Sequence, residues 1–216
     1  YSTESVAQHT FALLFYLLEK MRYYDEYVKS ERYIGDTTFT HFANVFHEIS
    51  GKTWGIVGLG NIGRRVAEIA KLFGCRVIYY STSGKNNNTD YERVSFDEIL
   101  AQSDILSVHA PLDENTRGLF DKAAFAKMKS SSIFINVGRG PIVVEQDLAD
   151  ALTEGVIAAA GLDVLAVEPM AETNPLRQIK DSEKLIITPH IAWASIEART
   201  RLLQIICNQI KEYFGL

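Results

Sequence analysis

Between Val6 and Met21, uncharged and mostly apolar residues return at three- and four-residue steps: Val6, Thr10, Leu13, Leu14, Leu17, Leu18 and Met21. Glu4, Gln8 and Glu19 fall off that stripe. The period is that of a helix with one buried face and predicts a helix over 3–22. His9 lies on it as a packing or capping residue. Over 23–50 the period is lost. Tyr23, Tyr24, Tyr27, Tyr33, Phe39, Phe42 and Phe46 alternate irregularly with charge. This stretch reads as a connecting arm, either packed as an irregular loop or offered as an interface. His41 and His47 lie in it and carry no assigned chemistry.

Beyond residue 50 the pattern changes to short apolar runs separated by helical repeats. Trp54 to Val57, Arg76 to Tyr80, Asp104 to Val108, Ile133 to Val137, Ala158 to Val164 and Leu185 to Thr188 read as strands. Val66, Ala67, Ile69, Ala70 and Phe73 mark the helix after the first strand, stopped by Gly74. Ser95-Phe96-Asp97-Glu98 has the form of a capping box and opens a helix to Gln102. Further helices are expected near 121–127, over 145–153 up to Gly155, and over 194–214. Strands alternating with helices predict an α/β fold, a doubly wound parallel sheet.

The first strand feeds Gly58-Leu59-Gly60-Asn61-Ile62-Gly63. In this order of strand, turn and helix, Gly58 permits a tight turn and Gly60 lets the backbone approach a pyrophosphate. Gly63 lets the helix pack close to the strand. The helix then offers its unpaired N–H groups to the phosphates. The segment is therefore read as the turn of a Rossmann-type dinucleotide-binding domain.

Composition narrows the picture only slightly. The chain has 216 residues, 47% of them hydrophobic and 23% charged, which is the make-up of an ordinary globular protein. A net charge of −5 argues against nucleic acid as a partner. No apolar run is long enough to span a membrane. The two cysteines, Cys75 and Cys207, lack metal-type spacing and read as free thiols of a reducing, cytoplasmic compartment. No metal site is expected.

Ligands of such sheets bind beyond the carboxyl ends of the strands. Arg139, Asp163, Glu168 and His190 all follow predicted strands there. Arg139 alone could cap a turn, Glu168 could be a solvated loop acid, and His190 could pack at a strand end. Together they form a set that suits a nicotinamide enzyme acting on a carbonyl. An Arg grips a carboxylate by a two-pronged pair, a His gives a proton to the carbonyl oxygen, and an acid beside the His orients it.

Four ordered motifs carry a resemblance. They are Phe96 to Phe120 with His109-Ala110-Pro111 and Asn115-Thr116-Arg117-Gly118; Met128-Lys129 with Ile133-Phe134-Ile135-Asn136-Val137-Gly138-Arg139-Gly140; Gly161-Leu162-Asp163-Val164 with Glu168-Pro169; and Thr188-Pro189-His190-Ile191-Ala192-Trp193-Ala194-Ser195. With the glycine-rich turn they cover nearly all of residues 50–200, and they resemble the D-isomer-specific 2-hydroxyacid dehydrogenases. The resemblance implies hydride transfer between NAD or NADP and C2 of a 2-oxo or 2-hydroxy acid, with D stereochemistry. It implies that Arg139 binds the substrate carboxylate and carbonyl oxygen, that His190 is the acid/base and that Glu168 is its partner. Asp163 would contact the nicotinamide amide, and Asn61 and Ile62 would lie under the pyrophosphate. Ala110, Val137 and Gly138 would line the cofactor cleft. Trp193 is similar to the hydroxypyruvate reductase and glycerate dehydrogenase branch. Glu168 stands where the related formate dehydrogenases have Gln. A nucleotide-sensing corepressor on the same fold remains an alternative.

The resemblance also implies a division: an interdomain helix over 1–22, an arm over 23–50, the dinucleotide-binding domain over 51–193 and a returning helix over 194–216. Family members usually carry about a hundred residues before the first of these, so the chain is expected to be a fragment with an incomplete substrate domain. Such a fragment would bind cofactor and turn over poorly. The first and last helices are expected to pack on each other or across a homodimer through the arm. Ser81 follows the second strand where many NAD-dependent members have Asp, so NADP is expected to be tolerated.

Overall fold

The computed structural model describes residues 1–215. Seven strands form one sheet: β1 (Thr53–Val57), β2 (Arg76–Tyr80), β3 (Glu92–Arg93), β4 (Ile105–Val108), β5 (Ile133–Asn136), β6 (Ala159–Leu162) and β7 (Leu185–Ile187). Their spatial order is β3-β2-β1-β4-β5-β6-β7, and every neighbouring pair is parallel. The expected doubly wound α/β sheet is therefore present, and its order reverses between β1 and β4. The strands are short and buried on both faces, which is why they read as continuous apolar runs rather than alternating ones.

Helices α1 (Thr3–Leu18) and α3 (Asn61–Leu72) cover one face. Helices α4 (Phe96–Gln102), α5 (Lys122–Ala126) and α6 (Glu145–Glu154) cover the other. On the first face Phe11 packs on Trp54, their ring centroids 4.8 Å apart. On the second, Phe120 packs on Phe134 at the same spacing. The signals that close these helices act as read: Ser95 Oγ accepts from the Glu98 N–H, and the Glu98 carboxylate accepts from the Ser95 N–H. Gly155 caps α6 in the left-handed region.

Three expectations change. The helix over 3–22 is two helices. α1 ends at Leu18, Lys20 takes φ +53, and α2 (Met21–Lys29) begins beyond it, with Met21 exposed rather than on the buried stripe. No Gly or Pro marks the break; instead Lys20 is held at the sheet edge, its ammonium donating to the Glu183 carbonyl at 3.4 Å. β3 is an extra strand, two exposed residues with no apolar signature. Finally α7 (Ile196–Phe214) does not bury its apolar residues on α1, so the first of the two arrangements expected for these helices is not the one seen. Of its residues only Ala198 is buried, and Leu203, Ile206, Ile210 and Phe214 face solvent. α1 instead buries Leu13, Leu14 and Leu17 on its own sheet, with Leu13 against Gly161 of β6.

Candidate active site

The glycine-rich turn leaves β1 at the point where strand order reverses. Gly58 takes φ +91, and a side chain there would run into the backbone of Ala110, which is buried behind the turn after β4. A methyl on Gly63 would strike the Gly58 carbonyl, so α3 lies against the strand only because the residue is glycine. A methyl on Gly60 would meet no protein atom. Packing thus explains Gly58 and Gly63 but leaves open space in front of Gly60, as a site for backbone approach to a phosphate requires. Asn61 is exposed at the first turn of α3.

A cavity of about 280 Å³ runs from this turn to the end of β2, lined by Gly60, Arg64, Ser81, Ser83, His109 and Asp113 among others. Ser81 is buried and its Oγ accepts from the Asn86 N–H, while Asn86 Nδ2 donates to the Leu59 carbonyl at 2.7 Å. Tyr79 Oη and the Arg93 guanidinium hold the 84–88 loop through its carbonyls. The loop that follows β2 is therefore tied to the glycine-rich turn. His109 is kept neutral, its pKa pushed down to about 3 by burial. Trp54 Nε1–H donates to Ser107 Oγ, which is also hydrogen-bonded to His109 Nε2 at 2.9 Å.

A second cavity of about 300 Å³ brings together Arg139 and His190 with Ile62, Val137, Asp163 and Trp193, and α1 adds Val6 to its wall. Arg139 follows β5. The buried amide of Asn136 shapes its turn: Nδ2 donates to the Arg139 carbonyl and Oδ1 accepts from the Gly138 N–H, each at 3.0 Å. Arg139 Nη1 donates to the Gly138 carbonyl, and the residue is exposed and lines the cavity.

His190 Nδ1 and Glu168 Oε2 are 2.7 Å apart. Glu168 Oε1 accepts from the Leu165 N–H, also at 2.7 Å. Burial works against the charge on Glu168, but these two hydrogen bonds and the nearby His190 and Arg139 hold its carboxyl below the ordinary range. The Glu168 loop is itself anchored by Glu145 at the start of α6, which accepts from Ala166 N–H and from Asn174 Nδ2. Glu168 and His190 also line an apolar cavity of about 600 Å³, together with Leu165, Pro169, Met170 and Ile187.

Asp163 is 1% exposed, and its carboxylate is turned inward. Oδ1 accepts from Thr188 Oγ1 and the Ile191 N–H, and Oδ2 from the Ala192 N–H. It thus fixes the segment on either side of His190. Asn136, Glu145 and Asn86 are supporting residues that sequence reading passed over. Only Asn136 carried a local signal, its place two residues before a glycine in a turn. Among the described residues no group of three or more His, Cys, Asp or Glu side chains is arranged to hold a metal, and no helix is long and apolar enough to cross a membrane.

Residues 11–192 match the family model of the D-isomer specific 2-hydroxyacid dehydrogenase, NAD binding domain. The chain is 39% identical over 217 residues to a hydroxypyruvate reductase of Blautia hydrogenotrophica, covering 99% of this chain and 66% of that protein. It is 38% identical to a glyoxylate reductase of Aeropyrum pernix, over 96% of this chain and 62% of that one. It thus spans about two thirds of the length of these relatives. Among solved structures, D-lactate dehydrogenase from Aquifex aeolicus complexed with NAD and lactic acid superposes with a TM-score of 0.88 at 27% identity, covering 99% of this chain and 67% of that one. An acyclic imino acid reductase in complex with NADPH and D-Arg does so with a TM-score of 0.87 at 32% identity, over 99% of this chain and 66% of that one. The chain belongs to the D-isomer specific 2-hydroxyacid dehydrogenase family.

Proposed function

We propose that this member of the D-isomer specific 2-hydroxyacid dehydrogenases is an NAD(P)-dependent oxidoreductase acting on a D-2-hydroxy acid or its 2-oxo acid, of the hydroxypyruvate or glycerate kind. The observation that carries the reading is the 2.7 Å bond from Glu168 to His190, with His190 and Arg139 facing one cavity. The bound nicotinamide supplies or accepts the hydride. Arg139 pairs two-pronged with the substrate carboxylate and reaches its carbonyl oxygen. His190, its Nδ1 taken by Glu168, has Nε2 left to give a proton to that oxygen during reduction and to take it back during oxidation. Gly58, Gly60, Asn61, Ile62 and Gly63 hold the pyrophosphate, and Ser81 faces the ribose end. Ala110, Val137, Gly138 and Asp163 shape the nicotinamide end. A panel of 2-oxo acids tested with NADH and NADPH on the full-length polypeptide decides it. Turnover of none, with dinucleotide still bound, would favour the corepressor-like alternative.

The division into a first helix, an arm, a dinucleotide domain over 51–193 and a returning helix fits this reading. So does a cytoplasmic setting, in which Cys75 and Cys207 stay free. A second copy is the natural cover for the arm, where Phe39 and Phe42 are 90% and 93% exposed. Closure of a second wall excludes water and positions the substrate. The 216-residue chain alone is therefore expected to bind dinucleotide with near-normal affinity while turning over far less substrate than a polypeptide of its relatives' length. Calorimetry beside a reduction assay measures both.

The ribose end makes its own prediction. Ser81, Thr82 and Ser83 present hydroxyls beside Arg64, and Asp113 is the only acid on that cavity. NADP is expected to bind about as well as NAD. Ser81→Asp places a charge against the 2′-phosphate and is expected to shift the ratio of the two dissociation constants toward NAD by roughly tenfold, about 1.4 kcal/mol. An unchanged ratio would show that this loop does not read the ribose.

A further inference from the structure

Helix α1 grips the segment that carries His190 at two points one helical turn apart. Ser5 Oγ donates to the Ala192 carbonyl at 2.5 Å, and His9 Nε2 lies 2.8 Å from Thr188 Oγ1. The direction of the second bond follows from proton count. A threonine hydroxyl has a single proton, and Asp163 Oδ1 takes it at 2.6 Å. Thr188 therefore accepts from His9, whose ring must carry its proton on Nε2. A neutral ring suffices, since burial lowers the pKa of His9 and the nearby Asp163 carboxylate does not restore it.

The chain of bonds runs from His9 through Thr188 to Asp163, and from Asp163 to the Ile191 and Ala192 amides. The His190 amide donates to the Asp163 carbonyl at 2.8 Å. Between these ties His190 sits at φ +54, a left-handed backbone region that is uncommon for a residue with a Cβ and is held here by its surroundings.

We propose that His9, supported by Ser5, is a positioning residue. Through Thr188 and Asp163 it holds the 190–192 backbone in the one conformation that sets the His190 imidazole between Glu168 and the cavity. The proposal rests on the reading of His190 as acid/base. It assigns a use to a histidine that the sequence pattern leaves as packing, and it ties the first helix to the reacting end of the site.

Four variants test it: His9→Leu, Thr188→Val, the two combined, and His9→Gln, whose side-chain amide keeps an N–H near the Nε2 position. In the full-length polypeptide, His9→Leu and Thr188→Val are each expected to lower kcat for 2-oxo acid reduction roughly tenfold, while dinucleotide Kd stays within about twofold. The double variant should be no worse than either single, because both cut one chain of bonds. His9→Gln should recover most of the rate. In the 216-residue chain, the Ile191 and Ala192 amides should exchange with solvent at least about tenfold faster in His9→Leu, with amides of β1, β4 and β5 unchanged. Losses that multiply, a Gln variant no better than Leu, or unaltered exchange at 191 and 192 would each overturn the clamp. Absence of turnover in the unmodified protein would instead sink the acid/base reading, and the exchange measurement would still decide the clamp.

Discussion

If His190 is the acid/base, His190→Gln in a polypeptide of its relatives' length is expected to lower the rate of 2-oxo acid reduction by about 10²–10⁴-fold, the range a positioned general acid supplies, with dinucleotide affinity little changed. The separation follows from place. His190 stands after β7 in the cavity shared with Arg139, whereas Gly58 and Gly60 of the glycine-rich turn line a different cavity and only Ile62 of that turn reaches the first. Gln can keep the bond to Glu168 but cannot deliver a proton at neutral pH. Glu168→Gln probes the same pair from the other side. The Glu168 carboxyl, held below its ordinary range by the hydrogen bonds from His190 and the Leu165 N–H and by the nearby Arg139, is the charged partner of the pair. Glu168→Gln keeps a hydrogen-bonding group beside His190 Nδ1 and removes that charge, and is expected to lower the rate of 2-oxo acid reduction roughly tenfold or more with dinucleotide affinity little changed. Rates and affinities for the two proteins measure the effect. Equal rates would mean that the charge at position 168 has no part in the chemistry.

The sheet was legible because its strands are buried on both faces, so Ile56, Leu106, Phe134 and their neighbours stand in unbroken apolar runs. The proposed reacting groups stand out for a different reason: in this topology ligands sit past strand ends, and Arg139, Glu168 and His190 all fall there. What escaped reading depends on tertiary contact. β3 has no pattern because two exposed residues bury nothing. The break at Lys20 has no Gly or Pro, and the contact made there, to the Glu183 carbonyl, is with a residue 163 positions away. α7 has an amphipathic repeat, yet its apolar residues face solvent, since a repeat names a face to be covered and not the surface that covers it. His9 and Glu145 act through residues 179 and 21 positions away. No local spacing encodes such a partner.

One further glycine joins the parts of the site, and its replacement is the second large effect expected. Gly140 is buried directly against Leu165 and Ala166 at the start of the Glu168 loop, and a Cβ there would overlap the Leu165 carbonyl and crowd the Ala166 nitrogen. The conflict is with backbone on both sides, so no side chain can swing away to relieve it. The Arg139 turn and the Glu168 loop must move apart, although Asn136 holds the first and Glu145 the second. Gly140→Ala is expected to destabilise the fold by about 1–3 kcal/mol, the usual cost of overpacking. It should also cost roughly 10²-fold in turnover, because a shift of an ångström between reacting groups is enough for that. The cavity at Gly60 and Ser81 contains none of these residues, so dinucleotide affinity should survive in the fraction that folds. Denaturant titration gives the first quantity, kcat of the folded fraction the second and calorimetry the third. Turnover that falls only in proportion to the folded fraction would show that the two loops need not touch for the chemistry. A kcat deficit in fully folded protein would place the demand for glycine on the spacing between Arg139 and the Glu168–His190 pair.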